Sequence, residues 1–144
     1  MAIIKMLSSK ATVNKIEKYL TREEKAEEKH ISGLNCNHEE FSKECKATNL
    51  LYDKNKSAGE RKYYHVIQSF SPKDNITPER AHSIAKEFAE KHFNKNEVLI
   101  ATHKDKEHIH NHFVVNSVSF ETGKKYHSDN KNLWDMKRHS NELC

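Results

Sequence analysis

The sequence predicts an α+β domain, a mainly antiparallel sheet flanked by helices, and two observations carry that expectation. The late segments EVLIATH and HIHNHFVVNSVSF are apolar and rich in β-formers, and the charged KDKE between them is a hairpin-length link. Around them the chain reads β-α-α-β-α-β-β-α, which groups antiparallel strands with helices packed against them.

Taken in order, AIIKML is a short apolar strand. TVNKIEKYLTREEKAEEK is a helical stretch that Thr12 is positioned to cap, turning mainly charged after Tyr19. HISGLNC carries a turn signal at Gly33. In HEEFSKECKATNLLYDK, Phe41, Cys45 and the Thr48 to Leu51 region line one face of a second helix. NKSAGE is a loop, and RKYYHVIQSF has the aromatic and β-branched content of a strand. After the polar SPKDNITPE, Thr77 and Pro78 occupy cap and first-turn positions of a helix. In that helix Ala81, Ile84, Ala85, Phe88 and Ala89 recur at i, i+3, i+4, i+7 and i+8, an apolar stripe. The two late strands follow, although KDKE lacks the Gly or Asn of the tightest turns. ETGKKYHSDN is a loop, and NLWDMKRHSNELC an amphipathic helix running to the last residue.

The 144 residues are 35% hydrophobic and 32% charged, the size and polarity of one soluble domain. No apolar run is long enough to span a bilayer, and MAIIKML lacks the length and cleavage site of a secretory signal, so a cytoplasmic location is expected. Cys36, Cys45 and Cys144 have no CxxC spacing and form an odd set, so they read as reduced thiols. A net charge of +4 tilts towards an anionic partner without the strong basicity of many nucleic-acid binders.

His103, His108, His110 and His112 fall within ten residues. On a strand, His108, His110 and His112 share one face, with Ile109, Asn111 and Phe113 on the other. Successive imidazoles then stand about 6–7 Å apart, so two neighbours can meet on one ion and three in a row cannot do so easily. A third ligand comes more readily from His103, across the link. His103, His110 and His112 make a histidine-only site with open positions, as a catalytic metal requires. The bland alternative is a solvated, histidine-rich hairpin in a chain that has 11 histidines. His65, alternating with Tyr63 and Ile67, reads as a packed, hydrogen-bonded strand residue, with a place at the border of the site as the lesser alternative. Asn116 continues the His110 and His112 face, either towards a ligand or a phosphate oxygen or satisfying nearby backbone.

The pattern H-x-D-x-x-H-x-H-x-H, here His103, Asp105, His108, His110 and His112, followed by FVVNSV, resembles the third motif of conjugative relaxases of the mobilisation and VirD2-like class. YYHVIQSFSP and ITPERAHSIAKEFAEKHF resemble the linker and helix that precede it, so the likeness covers nearly the whole chain. That resemblance implies the palm of the HUH endonuclease group and an enzyme that nicks one strand at the transfer origin of a plasmid or conjugative element. KIEKYLTRE matches the first motif, making Tyr19 the implied nucleophile and catalytic residue. The metal positions fall on His103, His110 and His112, with Asp105, His108 and Asn116 behind the ligands or against DNA. The implied cofactor is a divalent ion, magnesium or manganese ahead of zinc. The implied partners are single-stranded origin DNA and accessory relaxosome proteins, in a bacterial cytoplasm.

The residues suit that chemistry. A phenol with a pKa near 10 is a poor nucleophile at neutral pH and benefits from a nearby cation. Asp105 either orients a histidine through its far nitrogen or is a turn residue. Relaxases of this class continue well past the histidine motif, so the resemblance implies one nuclease domain over residues 1–144, incomplete at its C-terminus. The competing expectations are a truncated module that binds metal and DNA without full nicking, and a histidine-metal hydrolase.

Overall fold

The chain forms β1 (Ala2–Ser9), α1 (Val13–Leu20), β2 (Ile31–Leu34), α2 (Phe41–Leu51), β3 (Tyr63–Phe70), α3 (Pro78–His92), β4 (Val98–Asp105), β5 (His108–Asn116) and α4 (Asn130–Leu143). These elements come from a computed structural model that describes residues 2–22, 30–105 and 108–143, Asp105 by its backbone alone. Among the described residues the strands make one sheet, ordered β1-β3-β5-β4-β2, with every neighbouring pair antiparallel. The α+β class with an antiparallel sheet and flanking helices is what the sequence led us to expect.

Side chains alternate across each strand, and the two faces differ in cover. On one face Ile4, Val66, Ile100, Phe113 and Val115 pack beneath α3 and α4, together with Ala85, Phe88, Ala89 and Met136. The predicted stripe of α3 is fully buried there, and Thr77 caps that helix by accepting from the Arg80 amide at 3.2 Å. On the opposite face α1 and α2 cover one half of the sheet, where Leu20, Phe41, Cys45, Leu99, Ala101 and Val114 form a second cluster. Beyond that cluster Ile3 and Leu7 of β1 are exposed, and His65, Ile67, Ser69, His110 and His112 are half-buried. Among the described residues one sheet face is thus closed, and the other is open at the end carrying the histidines.

Several expectations change. Gly33 is not a turn: it lies in β2, an edge strand paired with β4. A Cβ there would stand 2.3 Å from the Cys36 carbonyl oxygen, so glycine is required by the close return of the chain. Lys104 and Asp105 extend β4 instead of forming a link, because they pair with Ile109 and His108; residues 106 and 107 lie outside the described residues. β5 ends at Asn116, and Val118 makes an isolated bridge with Lys125 where a longer strand was expected. In α2, Phe41, Cys45 and Thr48 are buried while Leu50 and Leu51 are exposed, since i, i+4 and i+7 share a face that i+9 and i+10 leave. Thr12 occupies the N-cap position of α1, but its side chain makes no capping hydrogen bond. The charged stretch 23–29 and Cys144 lie outside the described residues.

Candidate active site

Strand register assembles the histidines. His103 lies directly opposite His110, and Ala101 opposite His112, so one adjacent pair of strands sets three imidazoles on one face. The rings of His103 and His112 stand 4.4 Å apart and those of His110 and His112 6.3 Å apart, centroid to centroid. Two imidazoles bonded to one ion at 2.0–2.1 Å have centroids roughly 5–6 Å apart, so the observed separations fall just below and just above that spacing, while the donor type suits a divalent cation. Among the described residues no three such side chains already converge as ligands, so binding requires the rings to turn.

Hydrogen bonds orient these rings. His103 is 7% exposed, and its Nε2 lies 2.8 Å from the Leu20 carbonyl. A carbonyl can only accept, so Nε2 donates, and whenever the ring is neutral its lone pair sits on Nδ1. His112 Nδ1 meets His65 Nε2 at 2.9 Å, and His110 Nδ1 meets the Ser69 hydroxyl at 3.1 Å. Burial, aided by the neighbouring His103, pushes His65 down to about 4, so that ring is neutral at physiological pH. Hydrogen-bonded support of this kind fixes tautomer and ring direction at metal sites.

Tyr19 sits in α1, 48% exposed, with the Arg22 guanidinium 5.6 Å from its ring centroid. The next residue, Leu20, is fully buried, and its carbonyl is the one bonded to His103. The packing of Leu20 therefore ties the backbone beside Tyr19 to the imidazole cluster. His108 is exposed at the start of β5, its ring 6.3 Å from that of His110. The backbone of Asp105 pairs with His108, and its side chain lies outside the described residues. Asn116 is not brought to the imidazoles. It lies four residues past His112, about 13 Å along the strand, buried and donating to Glu97 Oε1 at 3.0 Å and Asn49 Oδ1 at 3.2 Å.

Sequence reading offered His65 at the border of the site only as the lesser alternative, and did not bring Ser69 there at all. Their alternation on β3 was visible, but their meeting with His112 and His110 depends on register, which pairs Ile67 with His112 and Ser69 with His110.

Residues 16–144 match the family described as Relaxase: MobA/VirD2-like, nuclease domain. The chain belongs to that family. Protein rlx of Staphylococcus aureus is 38% identical to this relaxase-family chain over 144 residues, covering 100% of the chain and 41% of the relative. Group II intron-interrupted relaxase LtrB of Lactococcus lactis subsp. cremoris is 50% identical over 64 residues, which is 44% of this chain and 11% of that protein. The chain spans about two fifths of the length of the rlx relatives that it matches.

Two solved structures share the fold. The MobM relaxase domain (MOBV; Mob_Pre) bound to 26nt pMV158 oriT DNA matches with a TM-score of 0.64 at 16% identity, over 98% of this chain and 86% of that one. A structure described under "Molecular Basis of Vancomycin Resistance Transfer in Staphylococcus aureus" matches with a TM-score of 0.68 at 12% identity, over 99% of this chain and 89% of that one. Identities this low speak for the architecture alone, and that architecture is the relaxase palm. No helix among the described residues is long and apolar enough to cross a membrane.

Proposed function

We propose that this relaxase-family chain nicks one DNA strand at a transfer origin by tyrosine transesterification. The observation that carries the reading is the contact between His103 Nε2 and the Leu20 carbonyl at 2.8 Å, which joins the imidazole cluster to the helix presenting Tyr19. Membership of the relaxase family supports it.

In the proposed reaction the Tyr19 phenol oxygen attacks the scissile phosphorus. The Tyr19 O–P bond forms, the bond from phosphorus to the 3′ oxygen breaks, and the phenolic proton reaches the departing 3′ oxygen through solvent. The products are a 5′-phosphotyrosine and a free 3′ hydroxyl, and the reverse step reseals the strand without ATP. His103, His110 and His112 would hold a divalent ion, magnesium or manganese ahead of zinc. When bound, it would neutralise phosphate charge and stabilise the extra charge of the transition state. Arg22, beside the Tyr19 ring, adds a positive charge that attracts phosphate. The open half of the sheet gives a single strand access, with Ile3, Leu7 and Ile67 offering apolar surface to bases. Asp105 and His108 are assigned to the margin of the site, as support for the ligands or as DNA contacts. We assign the partners as single-stranded origin DNA and accessory relaxosome proteins in a bacterial cytoplasm.

The test is a detergent-resistant protein–DNA adduct formed with manganese and single-stranded oligonucleotides tiling the origin region of the parent element. The wild-type chain should form it and Tyr19→Phe should not. Cleavage retained in Tyr19→Phe would instead indicate a histidine-metal hydrolase. DNA and manganese binding without cleavage would indicate a binding module.

A further inference from the structure

Directly behind the histidines, on the closed face of the sheet, runs a ladder of buried polar side chains. The Thr102 hydroxyl donates to Asn111 Oδ1 at 2.6 Å, so its oxygen accepts from His82 Nδ1 at 2.8 Å. That fixes the His82 tautomer and leaves Nε2 to accept from the Ser32 hydroxyl at 2.6 Å. Asn111 Nδ2 donates both protons, to Gln68 Oε1 at 2.9 Å and to the Ala81 carbonyl at 2.8 Å. Gln68 Nε2 in turn donates to the Ser140 hydroxyl at 2.6 Å. Flipping the Asn111 amide would set its oxygen against the Ala81 carbonyl, so the direction of the ladder is determined. Apart from the half-buried Ser32 its members are all but inaccessible: Gln68, Asn111 and Ser140 are 0% exposed, Thr102 2% and His82 4%.

The ladder occupies positions where the same strands elsewhere carry Val66, Ile100 and Phe113. Apolar residues would pack there at no desolvation cost, whereas a buried polar network is tolerable only when fully satisfied. What such a network adds is specificity of arrangement. Its placement shows which arrangement. Thr102 directly precedes His103, Asn111 lies between His110 and His112, and Gln68 precedes Ser69, the partner of His110. Because strand side chains alternate, each of these three strand residues adjoins along its backbone a site residue on the other face. A slip in pairing would break the ladder and scatter the imidazoles together.

We infer that Thr102, Asn111 and Gln68 are positioning residues, whose hydrogen bonds across β3, β5 and β4 set the pleat and register that align His103, His110 and His112. The inference rests on the proposed reading of those histidines as ligands. It predicts that Thr102→Val, which keeps shape but removes the hydroxyl, weakens manganese binding by about tenfold or more, the effect typical of groups that orient ligands. Thr102→Ser should restore binding. Met136→Ala, a buried change in the same helix-covered layer, supplies the control for lost stability alone.

The experiment measures manganese affinity by electron paramagnetic resonance of the free ion. It uses the full chain at a temperature where thermal unfolding shows each variant folded. Gln68→Met stands in if Thr102→Val does not fold. A loss in Thr102→Val, rescued by serine and absent in Met136→Ala, supports the inference. Unchanged affinity in Thr102→Val, or an equal loss in Met136→Ala, overturns it. A second readout needs no metal: nitrogen-15 spectra of the histidine rings should show the His103 Nε2–H tautomer in the wild type and its loss or exchange broadening in Thr102→Val. A wild type that binds no manganese would defeat the ligand reading, while those spectra would still decide the ladder.

Discussion

Acidification should destabilise the fold through His82, and replacing that residue should remove a defined part of the effect. The ring is buried between α3 and the sheet, bonded to Ser32 and Thr102, with the His30 ring 6.0 Å away. Burial first, then Lys86 and His30, push His82 from 6.5 down to about 4, while Glu79 faces His30 at 3.6 Å. The folded chain therefore favours the neutral ring. This contribution to stability is complete above pH 6.5, falls as pH drops from there towards 4 because the unfolded chain binds the proton first, and then levels off. At pH 5.0 the unfolded histidine is nearly fully charged and the folded one mostly neutral, which amounts to a loss of about 2 kcal/mol relative to pH 7.5. Urea unfolding at the two pH values, wild type against His82→Asn, isolates it, since other buried histidines are common to both. The variant should lose about 1–2 kcal/mol less on acidification. Equal losses would refute the reasoning.

Two further outcomes follow from packing. Phe88 is fully buried, its ring 5.2 Å from that of Phe113 and 4.6 Å from that of His92, so Phe88→Ala should cost about 3–5 kcal/mol in chemical denaturation. Gly33→Ala would drive a Cβ against the Cys36 carbonyl and should cost about 1–3 kcal/mol, with faster hydrogen exchange at the β2–β4 pairing.

The period of α3 was legible because its helix buries one stripe on the sheet, leaving Lys86, Glu87 and Glu90 to solvent. The shared face of His110 and His112 was equally plain, since strand alternation needs no knowledge of neighbours. β2 was hidden, because four residues with a glycine third look like a turn until the edge of β4 gives them a partner. Register was hidden too, and with it the approach of His65 and Ser69 to the site. The ladder left the faintest trace: Gln68, Thr102 and Asn111 read as polar interruptions in apolar strands, and their mutual satisfaction exists only in the folded sheet.

Mapping the covalently modified residue tests the central claim most directly. After reaction with manganese and a single-stranded origin oligonucleotide, followed by nuclease and protease digestion, mass spectrometry should find the remaining 5′-nucleotide on the peptide carrying Tyr19. A nucleotide on any other residue, or cleaved DNA with no modified peptide, would contradict the account.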